Sequence, residues 1–363
     1  MKYLRKFDSV SEMETVIASS TIGVLGVAYE GGNVVMENKP TPTPPPDPKA
    51  IPFYIEDISG SANTIQIKKT TPYIPDITIE KSTDGKTWET MGTTSTTAIT
   101  ATVPANGKLY LRCSVTTWAP GSSDYNYFNT ASGNFNVGGN IMSLLYGSNF
   151  TGNETTFPSD STYTFTRLFS GNTRIRSAEQ LLLPATTLAD SCYKSMFQGC
   201  TSLTAAPVLP ATTLDQYCYN NMFNGCTSLT TAPVLPVTTL ANFCYQYMFM
   251  GCTSLTTAPE LPATTLADSC YYAMFQGCTS LTTAPELTAT TLSKYCYNTM
   301  FKNCTNLNYI KCLATDISAN ACTTNWVQGV ALTGTFVKAA SMNEWAYATS
   351  SIPSGWTIQN AAE

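Results

Sequence analysis

Cysteine is the residue whose number and spacing could most readily support chemistry in this chain of 363 residues. Most of the 13 cysteines fall on two positions of a 26-residue period, the second position lying eight residues after the first. They are Cys192, Cys218, Cys244, Cys270, Cys296 and Cys322 at the first position, and Cys200, Cys226, Cys252, Cys278 and Cys304 at the second. Thiols in such a pattern could form disulfides between repeats, bind zinc or act as nucleophiles.

Each of these three kinds of chemistry lacks a necessary partner. Ladder side chains point in parallel toward a core, so neighbouring thiols have the reach of a disulfide but not its direction. Zinc needs four converging thiolates, and the chain has no Cys-x-x-Cys pair. Histidine, the usual base for a thiol nucleophile, is absent, and the carboxylates are scattered. We therefore expect buried, reduced cysteines, no catalytic residue, no metal site and no cofactor.

The same 26-residue period governs the apolar residues. Methionine, phenylalanine and leucine each recur at it: Met196, Met222, Met248, Met274 and Met300; Phe197, Phe223, Phe249, Phe275 and Phe301; Leu203, Leu229, Leu255, Leu281 and Leu307. A fixed period of this length is typical of a solenoid, whose turns bury their apolar faces against their neighbours. We predict five stacked turns over residues 183–312, each with a short strand near its Thr-Ser-Leu segment. One short helical turn should place each Cys-Tyr and Met-Phe pair on the same side.

One repeat carries a resemblance to a known family. The segment Cys218-Tyr-Asn-Asn-Met-Phe-Asn-Gly-Cys-Thr-Ser-Leu229, followed by Pro233 and Pro236, resembles the BspA-type leucine-rich repeats of surface proteins from gut and oral bacteria. The resemblance covers about residues 157–330, although the unit here is somewhat longer than the family's common form. It implies a horseshoe or rod that contains β-strands, and a role in adhesion or host-protein binding. It implies no catalytic residue.

The remaining segments predict further domains around this array. Period-two alternation over residues 51–140 predicts an antiparallel β-sandwich, with strands at 53–58, 64–68, 77–80 and 109–113. Residues 141–182 should form a junction and an N-terminal capping repeat, residues 183–330 the solenoid, and residues 331–363 a C-terminal cap. The predicted fold class is mainly β with short helices: an antiparallel β-sandwich followed by a leucine-rich-repeat-like solenoid of 26-residue turns.

The N-terminal region predicts an anchor and a spacer. Residues 1–37 should form a small α/β module with a hairpin at 22–36, too short to be stable alone. Residues 38–50 hold six prolines between Pro40 and Pro48 and predict a stiff polyproline linker. The opening Lys2-Tyr-Leu-Arg-Lys-Phe7 resembles the start of structural proteins in phages of gut bacteria. We therefore expect residues 1–37 to attach the chain to a larger assembly, a virion or a cell envelope.

Targeting signals are weak in this sequence. Basic residues precede an apolar run at 21–28, as in a signal peptide, but Asp8, Glu12 and Glu14 lie between them. No stretch reaches the ~18 apolar residues of a membrane span. The expected location is therefore extracellular, on a cell surface or a virion, without a convincing signal peptide.

The composition limits the kinds of binding partner that we expect. The net charge is −5, only 12% of residues are charged, and the cations are not clustered, so nucleic acid is not an expected partner. Two function classes remain. One is a binding protein that recognises a cell-surface glycan or protein through its repeats. The other is a phage fibre or virion decoration protein, with a structural role or a role in host attachment.

Two adjacent repeat positions vary in residue type and supply the candidate binding surface. The candidates are Lys194, Asn220, Gln246, Tyr272 and Asn298 at the first position, and Tyr247 at the second. Neutral drift would produce the same variation. A further candidate, Trp88 in the hairpin segment 82–88, could stack on a sugar or cover one end of the sandwich.

Overall fold

The computed structural model describes residues 27–30, 33–36, 47–158, 162–343 and 345–362. The chain divides into two compact units, Met1–Asp47 and Pro48–Glu363. In the first unit, strands β1 (Val27–Glu30) and β2 (Asn33–Met36) pair in antiparallel fashion. This pairing matches the hairpin predicted from the sequence. The rest of the predicted α/β module, and most of the proline linker, lie outside the described residues.

The second unit begins with two sheets. Their strands are β3 (Tyr54–Asp57), β4 (Asn63–Lys69), β5 (Thr78–Ser82), β6 (Glu89–Thr93), β7 (Ile99–Val103), β8 (Lys108–Arg112), β9 (Asn126–Thr130), β10 (Phe135–Asn140) and β11 (Ile175–Leu182). One sheet has the order β11-β10-β3-β8-β5-β6 and the other β7-β4-β9. Every neighbouring pair is antiparallel except β10 with β11. The mainly β, antiparallel character predicted for this region is confirmed.

The alternation of apolar and polar residues explains how the two sheets meet. In β4 the burial alternates strictly, with Ile65 and Ile67 fully buried and the residues between them facing out. Phe53, beside β3, and Phe128, in β9, bring the sheets together with ring centroids 5.5 Å apart. Trp118, which lies outside the strands, stacks on Phe128 with ring centroids 5.4 Å apart. Inward-facing residues of both sheets therefore share one core.

The start of the second unit differs from the predicted domain boundary. The sequence predicts a linker through residue 50, but Pro48–Ala50 form a 3-10 helix. The Asn140 side-chain amide donates to the carbonyl of Lys49 at 3.0 Å, and the Ile51 amide donates to the carbonyl of Pro48. These hydrogen bonds join residues 48–50 to the sheets. The compact unit therefore begins at Pro48, three residues earlier than predicted.

Helices are few among the described residues of this unit. Besides Pro48–Ala50, they are the single turn α1 (Ser143–Tyr146) and the 3-10 helix Gly147–Asn149, and none lies in the 26-residue repeats. The short helix predicted for each repeat is therefore wrong. In its place the chain makes consecutive four-residue turns, each marked by a left-handed residue such as Tyr217, Asn221 and Gly225, with φ of 54°, 58° and 74°. We call this segment, residues 217–225 and its equivalents, the turn wall.

Hydrogen bonds explain why the turn wall replaces a helix. Alternate amides bond within the repeat, as Met222 does to the carbonyl of Tyr219 at 3.1 Å. The amides between them bond to the next repeat, as Asn221 does to Gln246 at 2.9 Å and Phe223 does to Met248 at 2.9 Å. A helix would use every amide within its own segment and leave none to join neighbouring repeats. The turn wall satisfies the backbone and links the repeats at once.

The strand predicted at each Thr-Ser-Leu segment is also corrected. Between β11 and the next strand, β12 (Tyr309–Cys312), the described repeats carry only isolated parallel pairings on this side, such as Thr231 with Thr257. Threonine hydroxyls bridge the gaps: Thr253 Oγ1 donates to the carbonyl of Thr227 at 3.4 Å, and equivalent threonines repeat the contact. Hydroxyl ladders thus supplement the sparse backbone pairing.

The interior of the repeats consists of ladders of identical residues. Tyr245, Met248, Phe249, Cys252 and Leu255 are at most 1% exposed, as are their equivalents in neighbouring repeats. Phenylalanine rings of successive repeats stack nearly parallel with centroids 5.7 Å apart, and the buried tyrosines do so at about 5.9 Å. The predicted placement of methionine and phenylalanine inside the stack is confirmed.

Both ends of the repeat array are covered. At the first end, β11 pairs in parallel with β10, and the Phe128 amide of β9 donates to the Leu168 carbonyl at 2.8 Å. At the other end, β13 (Gly334–Lys338) and β14 (Trp356–Asn360) extend β12 into a parallel sheet, while Trp345 stacks on Trp326 at 5.5 Å. The buried apolar residues therefore form one continuous core from the sheets to the C-terminal strands.

The glycine column of the turn wall allows a clean test of the left-handed conformation. Gly251 has φ 73°, and a Cβ there would meet only ordinary contacts 3.8 Å away. We expect Gly251→Val to lower the free energy of unfolding by about 2 kcal/mol, because β-branched residues disfavour this region. Gly251→Asn should cost less, since Asn303 holds the equivalent position at φ 61°. Urea denaturation of both variants checks the order, and equal losses would contradict the conformational explanation.

Candidate functional site

The predicted binding positions lie on the turn wall but are less accessible than expected. Asn220 and Asn298 are 3% and 8% exposed, and Lys194, Gln246 and Tyr272 are half-buried. The sequence argument assumed that the core does not dictate these residues. In the structure their side chains contact the neighbouring repeats, so their identities depend on what stands one repeat away.

An amide network occupies the middle of this surface. Asn220 Nδ2 donates to Gln246 Oε1 at 2.8 Å, and Asn221 Nδ2 donates to Asn220 Oδ1 at 2.6 Å. Asn224 Nδ2 continues the chain to Asn221 Oδ1 at 2.7 Å. Asn298 instead donates to the carbonyl of Ala321 at 3.2 Å. These side-chain amides are hydrogen-bonded to one another and to the backbone, so they stabilise the turn wall.

Two tyrosines extend the network toward solvent. Tyr247 and Tyr272 meet edge to face with centroids 5.2 Å apart. Burial and the neighbouring Tyr272 raise the pKa of Tyr247 to about 12, so its hydroxyl stays protonated. The structure thus brings Asn220, Gln246, Tyr247 and Tyr272 into one neighbourhood.

Lys194 belongs to a different neighbourhood, near the sheets. Its Nζ lies 5.0 Å from the ring centroid of Tyr217, and that ring stacks on Phe243 at 4.6 Å. Burial and the adjacent Arg167 lower the pKa of Lys194. The sequence argument missed Tyr217, Phe243 and Arg167. The sequence does contain a signal for Tyr217 and Phe243. Their shared repeat position holds an aromatic residue in some repeats and a small one in others, such as Ser191 and Ser269.

The outer face of the sheet β7-β4-β9 continues this neighbourhood. Tyr125 and Tyr127 lie with centroids 5.6 Å apart, and the Arg167 guanidinium is 5.6 Å from the Tyr125 ring. Lys68, the cross-strand partner of Tyr127, places its Nζ 5.5 Å from the Tyr127 ring. Aromatic rings and cations therefore lie side by side from the sheet onto the first repeats.

Trp88 sits at a separate place, on the hairpin between β5 and β6. The Arg112 guanidinium covers one side of its ring at 4.3 Å, and Arg112 also pairs with Glu80 at 2.7 Å. A cavity of about 220 Å³ beside it is lined by Lys81, Thr87 and Glu89 among others. Trp88 is half-buried, and the side of its ring that Arg112 covers fits the role of covering one end of the sandwich. Sugar stacking on the other side of the ring stays a prediction.

One carboxylate that lines the cavity beside Trp88, that of Asp84, is engaged in hydrogen bonds of the hairpin turn. Asp84 Oδ1 accepts the amides of Lys86 and Thr87 at 2.8 and 2.7 Å, and Oδ2 accepts the Thr87 hydroxyl. These bonds hold the pKa of Asp84 well below its ordinary value. The Asp84 carboxylate therefore shapes the hairpin instead of facing a ligand.

The cysteines are all free and buried. At the second repeat position each thiol donates to the phenylalanine carbonyl of the preceding repeat, as Cys252 Sγ does to Phe223 at 3.1 Å. Burial raises the pKa of Cys200, Cys244 and Cys252 to about 12. The expected burial of the cysteines is confirmed, and their reduced state stays a prediction. None of them has the exposed, acidic thiol of a nucleophile.

Thiol labelling tests this arrangement. We expect the native protein at pH 8 to react with no more than a trace of an aromatic disulfide reagent, because the thiols are buried and protonated. After unfolding without reductant, 13 thiols should react. A clearly lower count after unfolding would show that adjacent repeats are joined by disulfides.

Two further features are absent from the part of the chain that the structure describes. No group of three His, Cys, Asp or Glu side chains there could hold a metal ion. No helix within the same residues is long and apolar enough to cross a membrane.

Comparison with known proteins adds no relative to this picture. No family model, curated protein or solved structure matches the chain. The likeness to BspA-type repeats therefore rests on the residues of the repeats themselves.

Proposed function

We propose that this chain is a leucine-rich-repeat-like solenoid carried on a β-sandwich, and that it works as a non-enzymatic, surface-displayed binding protein. Its repeats would recognise a cell-surface glycan or protein. The observation that carries this proposal is the turn wall. Its backbone is hydrogen-bonded within and between the repeats, while half-buried tyrosine and glutamine side chains, such as Tyr217, Gln246, Tyr247 and Tyr272, lie on its outer side. Such side chains supply aromatic contact and adaptable hydrogen bonds, as in other binding surfaces.

The reactive side chains support binding over catalysis. Thiols are buried and protonated, and the carboxylates with the most perturbed pKa values, Asp57 and Asp84, are engaged in loop hydrogen bonds. A catalytic acid or base needs a pKa near the working pH and access to substrate. Neither carboxylate combines these properties. The proposal therefore assigns no catalytic residue.

The alternative is a phage fibre or virion decoration protein, with a structural role or a role in host attachment. The feature that favours it is the order of the segments: a short N-terminal module, a proline-rich segment and a large compact unit. In this reading residues 1–37 attach the chain to a virion. The two proposals share the N-terminal attachment and differ in the assembly that carries the chain. Only a virion protein with a purely structural role would have repeats that bind no ligand.

Attachment assays separate the two. The full chain, coupled to beads through its N-terminus, should bind host or bacterial cells, or members of a glycan panel, in a saturable way, because multivalent display raises avidity. Beads carrying only residues 1–47 are the control. The spacer reading wins if the full chain binds no cell, host protein or glycan, while deleting residues 48–363 leaves attachment of the parent phage or bacterium unchanged.

A further inference from the structure

The geometry points to a ligand class for the proposed binding function, on which this inference rests. We infer that an anionic glycan, a sugar chain carrying carboxylate or sulfate groups, binds along a surface shared by the sheet β7-β4-β9 and the first repeats. We call this surface the aromatic–cation strip and define it as Lys68, Tyr125, Tyr127, Arg167, Lys194 and Tyr217.

The sheet supplies one end of the strip. Lys68 and Tyr127 are cross-strand partners on the outward face of β4 and β9, since their neighbours Ile67 and Phe128 face the core. Their contact of 5.5 Å and the 5.6 Å contact between Tyr125 and Tyr127 give two adjacent rings beside one ammonium group. This end of the strip is therefore fixed by strand register.

The turn wall supplies the other end. The Arg167 amide donates to the carbonyl of Lys194 at 2.9 Å, so these two cationic residues lie in adjacent repeats of the turn wall. Arg167 reaches back to the ring of Tyr125, and Lys194 lies over Tyr217, whose ring Phe243 supports from behind. Across the junction, the adjacent rings of Tyr127 and Tyr125 are therefore followed by the cations Arg167 and Lys194 and then by the ring of Tyr217.

The cations of the strip, Lys68, Arg167 and Lys194, are not engaged in ion pairs with the residues that the structure describes. Asp190 acts electrostatically on Lys194, and its carboxylate accepts a hydrogen bond from Ser191 Oγ at 2.7 Å. Two neighbouring cations that form no ion pair with a described residue, on a chain of net charge −5, make a place that an external anion would stabilise.

The shape of the strip selects among anions. A sugar ring can lay its C–H face on tyrosine, and guanidinium binds carboxylate or sulfate in a bidentate manner. A surface with aromatic rings and cations side by side therefore suits a chain whose units present both an apolar face and a negative group. Neutral glycans would meet the rings but leave the cations unpaired, and a polyanion without sugar rings would use only the cations.

Binding of the full chain to defined polymers tests the inference. Hyaluronan supplies carboxylates and dextran sulfate supplies sulfates, while dextran, polyglutamate and oligo(dT) are the comparison polymers. We expect binding to at least one acidic glycan, weakened by salt, and at least tenfold weaker binding to each comparison polymer. Preferential binding of oligo(dT) would assign the strip to single-stranded nucleic acid, and equal binding of polyglutamate would reduce it to charge attraction; either result overturns the inference.

The variants use residues that the repeats already place at these positions. Arg167→Asn copies Asn221, Lys194→Asn copies Asn220, and Tyr217→Ser copies Ser269, so each should fold. We expect the Arg167→Asn/Lys194→Asn pair to weaken acidic-glycan binding at least tenfold. Lys294→Asn/Tyr295→Ser removes a comparable cation–ring contact of 5.3 Å outside the strip and should leave binding unchanged.

Other outcomes are equally decisive. Equal affinities for the two pairs of variants, with unchanged unfolding midpoints, would show that the strip is not the site. If the chain attaches to cells in the bead assay but binds neither acidic glycan, the proposed function stands and the ligand class is wrong. If it attaches to nothing, the proposed function itself fails.

Discussion

Phe249→Ala should destabilise the protein by about 3–5 kcal/mol, the largest effect we expect from a single core substitution. Phe249 is fully buried, and its ring lies between Phe223 and Phe275 with centroids 5.7 Å from each. Removing the ring leaves a cavity between two repeats that cannot close, because both neighbours are held by hydrogen bonds across the turn wall. Urea denaturation followed by circular dichroism measures the loss.

A control in the same array makes the test specific. Val234 is 74% exposed, and Val234→Ala should change the free energy of unfolding by less than about 0.5 kcal/mol. A small effect of Phe249→Ala, similar to that of Val234→Ala, would contradict the ladder packing. A loss confined to part of the signal would mean that the repeats unfold separately from the sheets.

Asp57→Ala should cost about 3 kcal/mol, because one buried carboxylate organises two loops, β3–β4 and β7–β8. Asp57 is 2% exposed and accepts five hydrogen bonds. The donors are the amide and hydroxyl of Ser59, the amides of Gly60 and Asn106, and the side chain of Asn63. Without the carboxylate, the buried side-chain amide of Asn63 and the part-buried donors of Ser59, Gly60 and Asn106 lose this partner. Glu89→Gln, on an exposed ion pair with Lys81, is the matched control and should have little effect.

The same carboxylate predicts a pH dependence. Burial raises the pKa of Asp57, but the hydrogen bonds from Ser59, Asn106 and Asn63 outweigh it and hold the pKa well below its ordinary value. The stabilisation is therefore present above about pH 4 and is lost as the pH falls toward the lowered pKa. The unfolding free energy of the wild type should fall more steeply below pH 4 than that of Asp57→Ala. Parallel curves would contradict this role for Asp57.

The sequence revealed the repeat and its interior because identical residues must stack on identical residues. The columns of Met248, Phe249 and Cys252 could be assigned to the core from their period alone. The backbone that carries them could not. Buried pairs spaced four residues apart fit a helical turn as well as a series of left-handed corners. Only the glycine column, represented by Gly225, indicated a special conformation, whereas Tyr217 and Asn221 adopt it without a sequence signature.

The candidate surface was recovered only in part for a similar reason. Variation among Lys194, Asn220 and Gln246 identified the turn wall but not the contacts between repeats that occupy its amides. The strip at the sheet junction was missed because its residues are far apart in sequence. Strand register places Lys68 beside Tyr127, and stacking on the sheet brings Arg167 to Tyr125. Neither contact follows from a local pattern.

The most direct test of the central claim, a stack of equivalent turns with a binding surface at one end, compares two deletions of 26 residues. One removes residues 191–216 and with them Lys194; the other removes residues 257–282, beyond the strip. Each joins equivalent positions, so both chains should fold with one repeat fewer. The measurement is the affinity of each folded chain for the acidic glycan that the wild type binds. We predict that the second deletion keeps wild-type affinity and that the first weakens it at least tenfold. Equal affinities, or failure of both chains to fold, would contradict the account.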